Sequence, residues 1–87
     1  MSECYYVYIL RSLKDGNFYT GHTCDLKKRL ARHNRGEVRS TKSRRPFELA
    51  YWEMFVTRRD AMHRERKLKS LRRTDRAELV NGFKAAE

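Results

Sequence analysis

Five side chains stand out among those whose types move protons or bind phosphates or cations: Tyr8, Tyr19, Arg29, His33 and Glu65. Arg29 and His33 stand four residues apart in "LKKRLARH", and a helix places that spacing on one side. Leu26 and Leu30 mark the apolar stripe. His33 falls on it, and Arg29 falls at its rim, where side chains meet both sheet and solvent. An arginine fork there suits bidentate phosphate binding. It equally suits an arginine laid along the core beside a histidine that satisfies a backbone carbonyl, and spacing alone favours that second reading.

Glu65 is the sharper anomaly. Ala61, Glu65, Leu68 and Arg72 share one helical stripe, with Met62 alongside, so a carboxylate sits on an apolar face. Either it is paired, most simply with one of the many arginines, or it is a ligand for a hard cation. Mg²⁺ commonly takes one or two carboxylates together with substrate phosphate oxygens. Tyr8 and Tyr19 lie in strand-like segments, as do Tyr5 and Tyr6, and alone each reads as a core or cross-strand aromatic. His22, Cys24 and His33 could nominally hold a metal, but no CxxC pair marks structural zinc.

The elements that must position these groups are legible. "CYYVYILR" (4–11) is rich in Tyr, Val and Ile and reads as a strand. "LKDGN" (13–17) carries an Asp-Gly turn signal and "FYTG" resumes extended chain, which together predict an N-terminal hairpin that breaks at Gly21. Thr23 or Asp25 can cap a helix running to about Asn34, with Gly36 as its stop. The segment 37–46 has no periodicity and reads as a loop, and "FELAYWEMFV" (47–56) as a third strand. Thr57 with Asp60 resembles a capping box opening a helix through about Leu71. A last helix starts near Thr74 and carries Ala77, Val80 and Phe83, weakened at its end by Gly82. The order β-β-α-β-α-α predicts an α+β fold: a three-stranded antiparallel sheet flanked by helices, packed as a sandwich with the helices over one face.

Composition bounds the rest. Eighty-seven residues, 39% hydrophobic and 37% charged, make one domain (1–87) with a small core. The formal charge of +10 points to a polyanion as partner, against the plainer reading of a solvated basic surface. The basic stretches lack a strong apolar face for a membrane surface, and no run approaches the roughly 20 apolar residues of a span. No secretory signal is visible at the N-terminus, and Cys4 and Cys24 are too few for a disulfide framework, so a cytoplasmic protein with reduced thiols is expected.

Taken in order, the residues resemble the GIY-YIG endonuclease superfamily, and most closely its small, single-domain bacterial branch. The first tripeptide of the signature falls on Tyr6-Val7-Tyr8 and the second on Tyr19-Thr20-Gly21. "LKKRLARH" resembles the family's R-x-x-x-H helix, "STKSRRPFELAYWEMF" its loop-strand segment, and "DAMHRERKLKSL" the helix that supplies a glutamate. Any one tripeptide is weak, but the ordered set spans residues 5 to 72. The resemblance implies a DNA nuclease using a single Mg²⁺ or Mn²⁺ held by Glu65. Tyr8 would help activate the attacking water, and Tyr19 would orient it or contact the phosphate. Gly21 would let the backbone turn closely beside the site. Arg29 would bind the scissile phosphate, and His33 would assist proton transfer or phosphate contact. A tyrosine base, with a free pKa of about 10, needs cationic surroundings to work near neutrality.

The sequence also departs from the pattern. Tyr6 replaces the first glycine, Thr20 the central isoleucine, and His22 the lysine that often follows the second tripeptide. An asparagine found beyond the glutamate in many relatives has only Asn81 as a candidate, which reads more simply as a helix-end residue. Two function classes follow: an endonuclease acting on DNA, with branched, nicked or damaged structures of repair or recombination as expected substrates, or a non-catalytic DNA- or RNA-binding module. Glu65 favours the enzyme, since a carboxylate beside a phosphate is repulsive unless a cation bridges them. Arg39, Lys42, Arg44 and Arg45 in the 39–46 loop are the expected backbone contacts.

Overall fold

The Asp15-Gly16 turn closes the hairpin, and Gly16 adopts a φ of 75° that the turn requires of it. In the computed structural model, which describes residues 4–86 and side chains through residue 83, this hairpin joins β1 (Tyr5–Ser12) to β2 (Phe18–Thr23). A third strand, β3 (Phe47–Phe55), pairs antiparallel with the other side of β1, giving the order β2-β1-β3. Central β1 is apolar at every position from Tyr5 to Leu10, because both of its faces are covered: Val7, Ile9, Tyr8 and Leu10 are all buried.

Strand alternation divides these residues between two small cores. On one face Tyr8 and Leu10 pack with Phe47, Tyr19, Leu26 and Leu30, beneath α1 (Leu26–Arg35). On the other, Val7 and Ile9 pack with Ala61 and Leu68 of α2 (Arg58–Ser70) and Val80 of α3 (Arg73–Ala86). The element order and three-stranded antiparallel sheet are as expected, but helices lie on both faces rather than one. The strand that could satisfy only one layer has apolar side chains pointing both ways.

The helix boundaries follow local chemistry. Asp25, not Thr23, caps α1 by accepting from the Lys28 amide at 3.0 Å, while Thr23 remains the last residue of β2. Gly36, at φ 79°, ends α1 with its N–H on the Arg32 and His33 carbonyls. Thr57 caps α2 through the Asp60 amide at 3.1 Å. Strand β1 begins one residue later than expected, β3 ends at Phe55, α2 ends at Ser70, and α3 opens at Arg73.

The 37–46 segment departs most from its expectation. A single 3-10 turn (Lys42–Arg44) forms there, and Ser12 Oγ donates to the Arg44 carbonyl at 2.6 Å. The Arg44 guanidinium donates to Asp15 at 2.8 Å and covers the Phe47 ring at 5.6 Å. That bond, with the Asn17 amide, holds the Asp15 carboxyl well below the usual carboxylate range. Asn34 adds a second tie, its side-chain amide donating to the Phe47 carbonyl at 3.1 Å and accepting from the Phe47 amide at 2.7 Å. Asn34 thereby fixes α1 against β3. Among the described residues, no helix is long and apolar enough to cross a membrane.

Candidate active site

Tyr8 lies at the centre of the site because of its register. It pairs across the ladder with Gly21 of β2, an edge strand. A Cβ built at Gly21 would stand 2.7 Å from the Tyr8 hydroxyl and 2.9 Å from its Cζ. The missing side chain is therefore the clearance that lets the Tyr8 ring lie over β2. This corrects the expectation of a backbone turn at Gly21: the residue sits inside β2, and the positive-φ glycines are Gly16 and Gly36.

The Tyr8 hydroxyl meets His33 Nε2 at 3.0 Å, and His33 Nδ1 meets Thr41 Oγ1 at 2.8 Å. Thr41 in turn donates to the Val38 carbonyl at 3.3 Å. With the threonine proton committed there, Thr41 Oγ1 accepts from His33 Nδ1–H. Nε2 is then the free lone pair, and it accepts from the Tyr8 O–H. The chain has a direction, from Tyr8 through His33 to Thr41. Burial, with the nearby Arg29 and Arg32 charges, pushes His33 down from 6.5 to about 4, so the imidazole is neutral near pH 7. Tyr8 is pushed well above the ordinary phenol range, by burial first and then by Tyr19 and Glu65, while Arg29 opposes the rise. The resting pair is phenol and imidazole, not phenolate and imidazolium.

His33 is fully buried, satisfied by two side chains rather than by the backbone carbonyl considered from the sequence. Its ring centroid is 5.1 Å from Tyr19, which lies half-buried beside Tyr8 at 6.4 Å. Arg29 is half-buried on the rim of α1, as its spacing requires, and its charge acts on both Tyr8 and His33.

Glu65 reaches the site from the opposite face of the sheet. Its side chain is 15% exposed, and it is bonded to His22 Nδ1 of β2 and, at 2.7 Å, to Lys69 Nζ. Burial pushes its carboxyl up, but the Lys69 and His22 bonds outweigh that, and the net shift is downward. Glu65 is an ionised carboxylate, and its charge is one of the causes that raise the Tyr8 phenol. Its partners are a lysine and a histidine, not the arginine that composition suggested. The i,i+4 spacing of Glu65 and Lys69 was the available signal. Met62, alongside that stripe in the sequence reading, is 40% exposed, because the stripe facing β1 runs through Ala61 and Leu68.

The remaining candidates disperse. Asn81 is exposed on α3, which packs on β3, the edge strand farthest from His22 and Glu65. Cys24 is exposed, and among the described residues no three His, Cys, Asp or Glu side chains gather as a metal cage. Of the loop cations, Arg44 is bound to Asp15, and Arg45 donates to the Lys42 carbonyl and packs against Gly36, while Arg39 and Lys42 are exposed. Sequence reasoning missed Thr41 and Asn34. Both are polar residues in or beside the segment read as an unstructured loop, and only their tertiary partners mark them.

A strand-held tyrosine, an arginine and histidine on the following helix, and a glutamate on a later helix are the candidate site groups that this α+β sheet carries. The family model of the GIY-YIG catalytic domain matches residues 4–78, so the chain belongs to the GIY-YIG family of nucleases. A UPF0213 protein of Staphylococcus saprophyticus is 41% identical over 78 residues, 88% of this chain and 94% of that protein. One from Bacillus pumilus is 46% identical over 67 residues, 76% of this chain and 67% of that one. The solution NMR structure of a UPF0213 protein from Bacillus halodurans superposes with a TM-score of 0.57 at 38% identity, covering 90% of this chain and 83% of that chain.

Proposed function

We propose that this protein is a divalent-metal-dependent endonuclease that hydrolyses DNA phosphodiester bonds. The observation that carries the reading is the directed chain Tyr8–His33–Thr41 together with an ionised Glu65 whose charge acts on Tyr8. Tyr8 works as a relay. The attacking water gives a proton to the Tyr8 oxygen as the Tyr8 proton passes to His33 Nε2, the water oxygen adds to phosphorus, and the P–O bond to the leaving sugar oxygen breaks, that oxygen taking a proton from solvent. Since His33 is fully buried, its part is proton transfer rather than phosphate contact.

A pKa of about 4 makes His33 a poor acceptor at rest, and Arg29 is one cause of that depression. A phosphate bound by Arg29 cancels part of its charge and raises the basicity of His33. Substrate binding thus prepares its own base. Tyr19, half-exposed beside Tyr8, orients the water or contacts the phosphate.

Glu65 is an ionised, single carboxylate, which suits Mg²⁺ or Mn²⁺ completing its shell with water and substrate oxygens, once the ion takes the place of the exposed Lys69 ammonium on Oε2. When bound there, the ion supplies Lewis-acid stabilisation of the phosphate and leaving oxygen. His22 holds the carboxylate in place through Oε1, and Lys69 is the partner an ion would displace. The test is cleavage of linear, nicked, branched and single-stranded DNA with Mg²⁺ or Mn²⁺, beside Glu65→Ala. Cleavage lost in the variant with binding kept supports the reading. Binding by the wild type without cleavage under any metal condition leaves a DNA- or RNA-binding module instead.

A further inference from the structure

Helix α2 sorts its cations between two sides. Arg64 is neutralised by Glu53, with Nε 3.0 Å from the carboxylate. Arg59 and Arg66 enter no ion pair among the described residues, and both are exposed. Arg58, Arg59, Met62, His63 and Arg66 line one groove, and Met62, Glu65, Arg66 and Lys69 line an adjoining depression. Met62 and Arg66 belong to both, so the concave surface is continuous from the N-terminus of α2 to Glu65.

We propose that this face of α2 is the track along which the substrate's sugar–phosphate chain runs away from the cleaved phosphate. The inference rests on the nuclease reading and adds the path of the strand. Arg59 and Arg66 are seven residues apart, which places two cations about 10.5 Å apart along the axis, on the same side. The positive end of the helix dipole lies with Arg58 and Arg59, and adds to the attraction for phosphate there. Met62, exposed between the arginines, gives the sugars an apolar floor. Unpaired like charges on one helix face repel each other in the free protein, and a polyanion relieves that repulsion. A second copy of this chain would not, because it also carries +10.

This path differs from the 39–46 loop. There Arg44 is bound to Asp15, and Arg39, Lys42 and Arg45 face solvent from an irregular segment rather than along one side of a helix.

The experiment is fluorescence anisotropy of a labelled 25-residue DNA oligonucleotide with the full chain in EDTA, repeated across a KCl series. Two phosphate contacts contribute about 1.4 to the slope of log K against log salt for a single strand and about 1.8 for a duplex. Arg59→Gln with Arg66→Gln should lower the slope by that amount. Arg59→Lys with Arg66→Lys should restore most of it, and Lys67→Gln with Arg73→Gln, exposed cations off this face of α2, should leave it near wild type. An unchanged slope in the α2 pair overturns the proposal, as does an equal loss in both glutamine pairs, which would mean diffuse charge. The nuclease reading fails separately: if the slope falls as expected but the wild type cuts no DNA with Mg²⁺ or Mn²⁺, the track stands and the enzyme does not.

Discussion

Replacing Gly21 by alanine isolates one contact. Gly21 is not a positive-φ residue, so alanine brings no backbone strain, and its methyl group is the whole perturbation. That methyl would stand 2.7 Å from the Tyr8 hydroxyl, 2.9 Å from Cζ and 3.3 Å from Cε2. Carbon contacts are comfortable from about 3.5 Å, so the ring must retreat by roughly 0.6 Å from the 2.9 Å contact at Cζ. Tyr8 is 2% exposed, bonded to His33 and flanked by Tyr19, so it cannot swing away freely. Overpacking of this kind costs about 1–3 kcal/mol of stability. A displacement near 1 Å at a reacting group costs about a hundredfold in rate. Thermal unfolding and the single-turnover cleavage rate read the two effects. Gly82→Ala is the control: its Cβ meets nothing within 4 Å, and alanine in α3 should add about 0.5–1 kcal/mol. A Gly21→Ala protein as stable as wild type and cutting within twofold of its rate would refute the clearance argument.

Three further outcomes are expected. His33 is depressed from 6.5 to about 4, so the folded state binds fewer protons than the unfolded chain between those values. Its contribution is full above pH 6.5 and is lost as pH falls toward 4, a difference of roughly 3 kcal/mol. Urea unfolding at pH 7.5 and 4.5 should show it, and a His33→Gln protein with the same pH slope would contradict it. Glu65→Gln should abolish Mn²⁺ binding measured by calorimetry in the presence of an uncleavable oligonucleotide, whereas retained affinity would move the metal elsewhere. Asn34→Ala removes two hydrogen bonds that hold α1 to β3 and should cost about 1–2 kcal/mol in chemical denaturation; a neutral substitution would show that the tie is dispensable.

What the sequence made legible was local. The Asp15-Gly16 turn, the β-rich run of β1, the caps at Asp25 and Thr57 and the Gly36 stop each follow from a few neighbouring residues. The pairing of Tyr8 with Gly21 does not, since it depends on ladder register, and this is why Gly21 read as a hinge rather than a gap. Arg29 and His33 were placed correctly on α1 by helical spacing, yet the partner that gives His33 its direction, Thr41, comes from a loop with no period. Glu65 stood out as a carboxylate on an apolar stripe, but its position at the stripe's edge, beside Lys69 and His22, depends on how α2 lies against β2. Arg44 looked like a free cation until tertiary structure supplied Asp15 and Phe47.

The most direct measurement is the single-turnover cleavage rate of Tyr8→Phe on a DNA oligonucleotide that the wild type cuts, at saturating Mg²⁺ and with affinity measured alongside. The relay predicts a rate at least a hundredfold below wild type with binding within about twofold, because only the hydroxyl that joins water to His33 has been removed. A Tyr8→Phe protein that cleaves at the wild-type rate would contradict the account.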